Sequence, residues 1–156
     1  EISCSLVGSE MCIRDSLNHN QRRAIPIMTH PGIEIIGKTV NDAVNDGQTH
    51  ADAIVALAEN TPSDAATVIM DLTVEAEAFG AKLHFSENDV PSVSERLLHN
   101  MSEVESLPLP DLSAGRISQY LKANRLAAER ISDIPVMMKY TRTIAGSRRY
   151  MRGRIG

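Results

Sequence analysis

Asp71 follows an uncharged, β-branched run, Ala66-Thr67-Val68-Ile69-Met70, and leads directly into Leu72-Thr73-Val74-Glu75-Ala76-Glu77-Ala78-Phe79-Gly80. Such a run reads as a strand buried on both faces, of the kind found in parallel sheets flanked by helices, and the segment after it reads as a helix. In α/β barrels and open α/β sheets, ligands bind at the carboxyl ends of the strands, so a carboxylate placed there is a candidate for chemistry. The position equally suits a cap that accepts from the first free N–H groups of the helix, and both roles fit Asp71. Glu75, one turn later, is placed to share the site of Asp71. It also suits the first turn of a helix, as Glu77 does, where the helix dipole favours acids. A second candidate is His30 in Thr29-His30-Pro31-Gly32, a polar turn in which Thr29 precedes it and Gly32 allows close approach. A histidine there can contact a substrate or a metal, although a lone turn histidine is commonly just solvated. His84 falls on a hairpin, and His19, His50 and His99 fall in polar contexts that suggest structural or solvent-facing roles.

Positioning these residues requires a frame. Ala24 to Met28 is a strand candidate ahead of the His30 turn. Thr39 with Asp42, and Thr49 with Asp52, each place a hydroxyl three residues before a carboxylate, the layout of a helix start, and Gly47 separates the two. Ala51, Ile54, Val55 and Ala58 then give an amphipathic helix ending near Asn60, and Thr61-Pro62-Ser63-Asp64 breaks it. Gly80 suits a C-terminal cap, and Lys82 to Phe85 with the turn Ser86 to Asp89 suits an exposed hairpin. Ser92 to Leu107 is mixed and polar. Pro108-Leu109-Pro110 leads to a helix capped by Ser113, with Ile117, Tyr120, Leu121, Leu126, Ala128 and Ile131 as its apolar face and Asn124 interrupting it. Pro135 opens a third strand candidate, Val136 to Tyr140. Strands alternating with helices in this order imply an α/β protein with a parallel sheet.

The 156 residues carry a net charge of −4, unevenly spread. Between Leu17 and Met138 there are 9 Lys and Arg against 17 Asp and Glu, whereas Lys139 to Gly156 holds 6 basic residues and no acidic one. An acidic body argues against nucleic acid as the main partner. The basic tail, with Arg142, Arg148, Arg149, Arg152 and Arg154, suits a phosphate-binding strip in principle, but it lacks apolar periodicity and reads more readily as translated from damaged or frame-shifted DNA, so no function is assigned to it. Glu1 to Ser16 resembles a translated sequencing-adapter read-through and is set apart from the fold. It contains both cysteines, Cys4 and Cys12, so the body offers no disulfide and no thiolate metal site. Neither a signal peptide nor a run approaching the ~20 apolar residues that span a bilayer is seen, so no membrane is expected and a cytoplasmic location is the expectation.

From Asp64 to Gly80 the chain resembles the uroporphyrinogen decarboxylase superfamily, most closely its methylcobamide:coenzyme M methyltransferase branch. The surrounding order agrees: Ile25 to Gly32, the hairpin after Gly80, Leu107-Pro108-Leu109-Pro110-Asp111 before a long helix, and Ile134-Pro135-Val136. The resemblance covers Ala24 to Val136 and implies the N-terminal part of a truncated TIM (β/α)8 barrel, with residues 17–140 as the barrel piece and 141–156 unassigned. Decarboxylases of the superfamily carry an arginine-rich turn after the first strand, which grips substrate carboxylates, and an Asp after the second, which holds pyrrole N–H groups. Asp71 matches the Asp. Met28-Thr29-His30-Pro31-Gly32-Ile33-Glu34 stands where the arginines would be, and without such cations a polycarboxylate is poorly held. The resemblance therefore implies a methyltransferase that moves a methyl group from a corrinoid protein or free methylcobalamin to a small-molecule thiol such as coenzyme M. Asp71 would be catalytic, and Thr29, His30 and Glu75 would contact substrate. Zinc is implied for that enzyme, on a His-x-Cys pair and a later Cys outside this chain. Uroporphyrinogen decarboxylation, without metal, is the alternative, as is an inactive fragment that associates through exposed strand edges.

Overall fold

The computed structural model describes residues 24–138. Its elements are α1 (His30–Ile35), α2 (Val40–Asn45), α3 (Gly47–Asn60), β1 (Ala66–Thr67), α4 (Thr73–Ala78), β2 (Leu83–His84), β3 (Ser92–Val93), α5 (Met101–Ser106), α6 (Ile117–Arg130) and β4 (Val136–Met137). Glu1 to Ser16, His19, Lys139, Tyr140 and the basic tail lie outside the described residues. β1 and β4 pair in parallel, Ala66 opposite Val136 and Thr67 opposite Met137. Parallel partners need a long crossover, and the chain from α4 to α6 supplies it. β2 and β3 form the expected antiparallel hairpin. This is an α/β arrangement, and no described helix is long and apolar enough to cross a membrane.

The helix starts follow their caps. Asp42 N–H donates to Thr39 Oγ1 at 3.1 Å and Thr39 N–H to Asp42 Oδ2 at 3.0 Å, a reciprocal capping box that opens α2. At α3 the cap is Asp46, not Thr49: its carboxylate accepts the N–H groups of Gln48 and Thr49, so the helix begins at Gly47, two residues before the expected hydroxyl. The Thr49 N–H bond, above all, holds the Asp46 carboxyl down at about 2. Gly80 closes α4 with φ of 97°, as expected of a C-terminal glycine.

Four further expectations are corrected. Ala24 to Met28 lies in no ladder of the described residues, and Pro26 there has no N–H to donate to one. Isolated bonds hold it near β1: Asp64 N–H to the Ala24 carbonyl at 3.1 Å and Thr67 Oγ1 to the Pro26 carbonyl at 3.4 Å. The turn expected at Thr29 to Gly32 opens α1 instead, with Pro31 in the first turn, where its missing N–H has no role. On α6 the buried residues are Tyr120, Ala123 and Ala127, while Leu121 and Ala128 are exposed, and the stretch read as merely polar contains α5, capped by Asn100.

The core lies where α3 meets α1, α6 and the end of β1. Ile33, Val44, Ala53, Ile69 and Val74 form one cluster, and Ile54, Val55, Val68, Ala127 and Ile131 another. α1 lies so close to α3 that a Cβ on Gly32 would stand 2.1 Å from the Ala53 carbonyl oxygen, a contact neither backbone can relieve without separating the helices. Gly32→Ala is expected to destabilise the chain by about 3 kcal/mol, at the upper end of overpacking effects, in urea denaturation of the purified protein. Val104→Leu, which adds one methylene to a buried side chain, provides the comparison and should lose less.

Candidate functional site

β1 delivers Asp71 to the carboxyl end of the parallel pair, and the chain turns at once, Asp71 N–H reaching back to the Ile69 carbonyl at 3.1 Å. The Asp71 side chain is fully buried. Oδ1 accepts from Thr73 N–H at 2.8 Å and from Thr73 Oγ1 at 2.6 Å, so Asp71 does serve the start of α4. Oδ2 faces the other way, toward α6.

There it accepts from Arg116 Nη1 at 2.6 Å and from the Tyr120 hydroxyl at 3.1 Å. Arg116 and Tyr120 stand four residues apart at the start of α6, which places them on one face. The guanidinium also gives Nε to Glu77 Oε2 at 2.7 Å and Nη2 to Thr73 Oγ1 at 2.9 Å. Phe85, from the hairpin, lies against it with its ring centroid 5.2 Å from Cζ, a cation–π contact. Burial opposes the charge of Arg116, but the hydrogen bond and charge of Asp71, followed by those of Glu77, raise its pKa above the ordinary value. Burial first, then the Asp71 charge, pushes the Tyr120 hydroxyl far up, with Arg116 opposing, so Tyr120 stays a donor.

A third group supports the site from α3. His50 is fully buried, and its Nε2 accepts the Ile69 N–H at 3.0 Å. Its ring meets Tyr120 edge-on, centroids 4.9 Å apart and planes at 86°. Burial holds the His50 pKa down at about 4, from 6.5, with the Asp71 charge opposing. The imidazole is therefore neutral at pH 7.

Of the residues named from sequence, Asp71 occupies the centre of this network. Thr29 is buried, and its hydroxyl donates to the Thr67 carbonyl at 2.9 Å, fastening α1 to β1. His30 is exposed on the first turn of α1, with no hydrogen bond to Asp71. Glu75 lies partly exposed on α4, and the carboxylate joined to Asp71 through Arg116 is Glu77. His50 is not in a polar context but at the centre of the core. Its signal was present: Gly47, His50 and Ala51 continue the Ile54, Val55, Ala58 stripe back by one turn. Arg116 was legible only as a residue four before Tyr120. Among the described residues no group of three or more His, Cys, Asp or Glu side chains is placed to hold a metal, so the residues present do not fit a zinc ion.

Residues 21–141 match the family model described as Uroporphyrinogen decarboxylase (URO-D). Among solved structures, the fold is similar to a methyltransferase from Methanosarcina mazei, with a TM-score of 0.65 and 21% identity over 85% of this chain. The chain spans 43% of that methyltransferase, whose likeness at this identity concerns the fold, that of part of a TIM-like barrel. No curated protein matches the chain.

Removing one member of a buried ion pair strands the other, typically at about 3–5 kcal/mol. Arg116→Met should destabilise by that order in urea denaturation, and adding Asp71→Asn should recover part of the loss; strictly additive effects would contradict the coupling. His50 gives a pH signature. Its folded pKa lies below the unfolded 6.5, so its contribution is complete above pH 6.5 and is lost as pH falls toward 4, because the unfolded chain takes up the proton first. Between pH 6.5 and 5 the chain should lose about 1.5 kcal/mol more than a His50→Gln variant does. Parallel pH profiles for the two proteins would refute this.

Proposed function

Because this chain belongs to the uroporphyrinogen decarboxylase family, we propose that it is part of an enzyme that transfers a methyl group from a corrinoid to a small-molecule thiol such as coenzyme M. The observation that carries the reading is the saturation of Asp71. Its two oxygens accept four hydrogen bonds, two from Thr73 and one each from Arg116 and Tyr120. A carboxylate so filled has no lone pair left for pyrrole N–H groups. The segment Met28 to Glu34, which leads into and through most of α1, contains no arginine, and the charge of Arg116 is already matched by Asp71 and Glu77. A substrate bearing many carboxylates would lack the cations needed to offset its desolvation.

In the proposed reaction the thiol releases its proton to solvent water, and the thiolate sulfur attacks the methyl carbon. A carbon–sulfur bond forms as the carbon–cobalt bond breaks, its electron pair staying with cobalt. Asp71, fixed by Arg116 and Tyr120, shapes the end of β1 that faces the substrates. In this reading Thr29 and His30, at the start of α1, and Glu75, on α4, are assigned to substrate contact. The zinc that the reading calls for would be bound by residues outside this chain, and no step is assigned to it here. The methyl donor is a corrinoid protein or free methylcobalamin.

The test uses the full-length protein supplied with zinc, methylcobalamin and coenzyme M. Loss of the methylcobalamin spectrum with appearance of the methylated thiol is expected, and Asp71→Asn should lower the rate at least about tenfold, the scale of one lost charge-assisted hydrogen bond. Conversion of uroporphyrinogen to coproporphyrinogen, with methylcobalamin left intact, would overturn the proposal.

A further inference from the structure

His50 holds one of two buried side-chain polar atoms that lack a hydrogen-bond partner among the described residues: its Nδ1. Since Nε2 accepts from Ile69, the neutral ring carries its proton on Nδ1, and the unpaired atom is a donor. An unpaired buried donor destabilises a fold, and a phenylalanine or leucine would fill the same space without one. Core filling therefore does not explain a histidine here; what the imidazole alone supplies is the acceptor at Nε2.

We propose that His50 is a positioning residue for Asp71. It acts along two routes that converge on the same carboxylate. Through the backbone, Nε2 fixes the Ile69 N–H two residues before Asp71, past the last residue of β1. Through the ring, its edge contact sets the Tyr120 phenol, whose hydroxyl donates to Asp71 Oδ2. The functional weight of this role rests on the reading of Asp71 as a site residue; the geometry does not.

The test is nuclear magnetic resonance on the ¹⁵N-labelled protein. The wild type should show a coupling across the hydrogen bond between the Ile69 amide nitrogen and His50 Nε2, with the ring proton on Nδ1. His50→Phe keeps an aromatic edge for Tyr120 but offers no acceptor, and exchange of the Thr73 amide, which donates to Asp71 Oδ1, should accelerate about tenfold beyond any change in global stability, the scale of one hydrogen bond. His50→Gln, whose carbonyl oxygen accepts from Ile69, should restore protection. Absence of the coupling in the wild type, or unchanged Thr73 amide exchange in a folded His50→Phe protein, overturns the proposal; should His50→Phe not fold, the wild-type coupling decides. None of these readouts involves methyl transfer, so an inactive enzyme leaves them untouched, and their failure leaves the methyltransferase reading standing.

Discussion

The ion pair between Arg116 and Asp71 is the constraint around which the rest is arranged. Two opposite charges removed from water must satisfy each other in good geometry, because either alone would be strongly destabilising. Arg116 meets that demand with a planar fork that aims in three fixed directions: Asp71, Glu77 and the Thr73 hydroxyl. A lysine ammonium, a single point of charge, would not fix three partners in this way. The end of β1, all of α4 and the start of α6 thus behave as one unit, and the crossover between the parallel strands is pinned at its midpoint rather than only at its ends.

The opposite side of that unit rests on α3. The ladder between β1 and β4 covers only two residues on each strand, although the apolar run continues to Met70. Val68 N–H still reaches the Met137 carbonyl at 3.4 Å on the β4 side, and the Ile69 N–H, which points to the opposite edge of the chain, goes to His50. A helix side chain takes over where a neighbouring strand would otherwise have paired. Strand and helix are consequently coupled by a hydrogen bond as well as by apolar burial, and it falls two residues before the catalytic candidate.

What was legible in the sequence was local. The buried run ending in Asp71, the Thr39 capping box, the long helix ending at Asn60, the hairpin after Gly80 and the last strand all follow from periodicity, caps and turn residues within a window of a few positions. The misses were of two kinds. At Ala24 to Met28 a good apolar pattern lies in no ladder and contains Pro26, which has no N–H to donate to one, and at α3 Asp46 competed successfully with Thr49 for the same cap. The remainder of the site depends on partners far apart in sequence: Arg116 lies 45 residues from Asp71, and His50 lies 19 from Ile69. No local pattern distinguishes an arginine destined for burial from a solvated one, so the cation that neutralises Asp71 could not be assigned before the fold was known.

The two roles that fit Asp71 from sequence, helix cap and site residue, turn out not to exclude each other, since each is carried by a different oxygen. Oδ1 serves Thr73 and the start of α4, and Oδ2 serves Arg116 and Tyr120. That division makes the carboxylate rigid and leaves it without capacity for a further donor unless Arg116 changes partner. On either side of it in sequence, Met70 and Leu72 are 40% and 68% exposed. An apolar rim beside a fixed, already neutralised anion is poorly matched to a ligand covered in carboxylates, which would need cations there to replace its water. That mismatch is the physical ground for the proposed methyltransferase reading over the decarboxylase one.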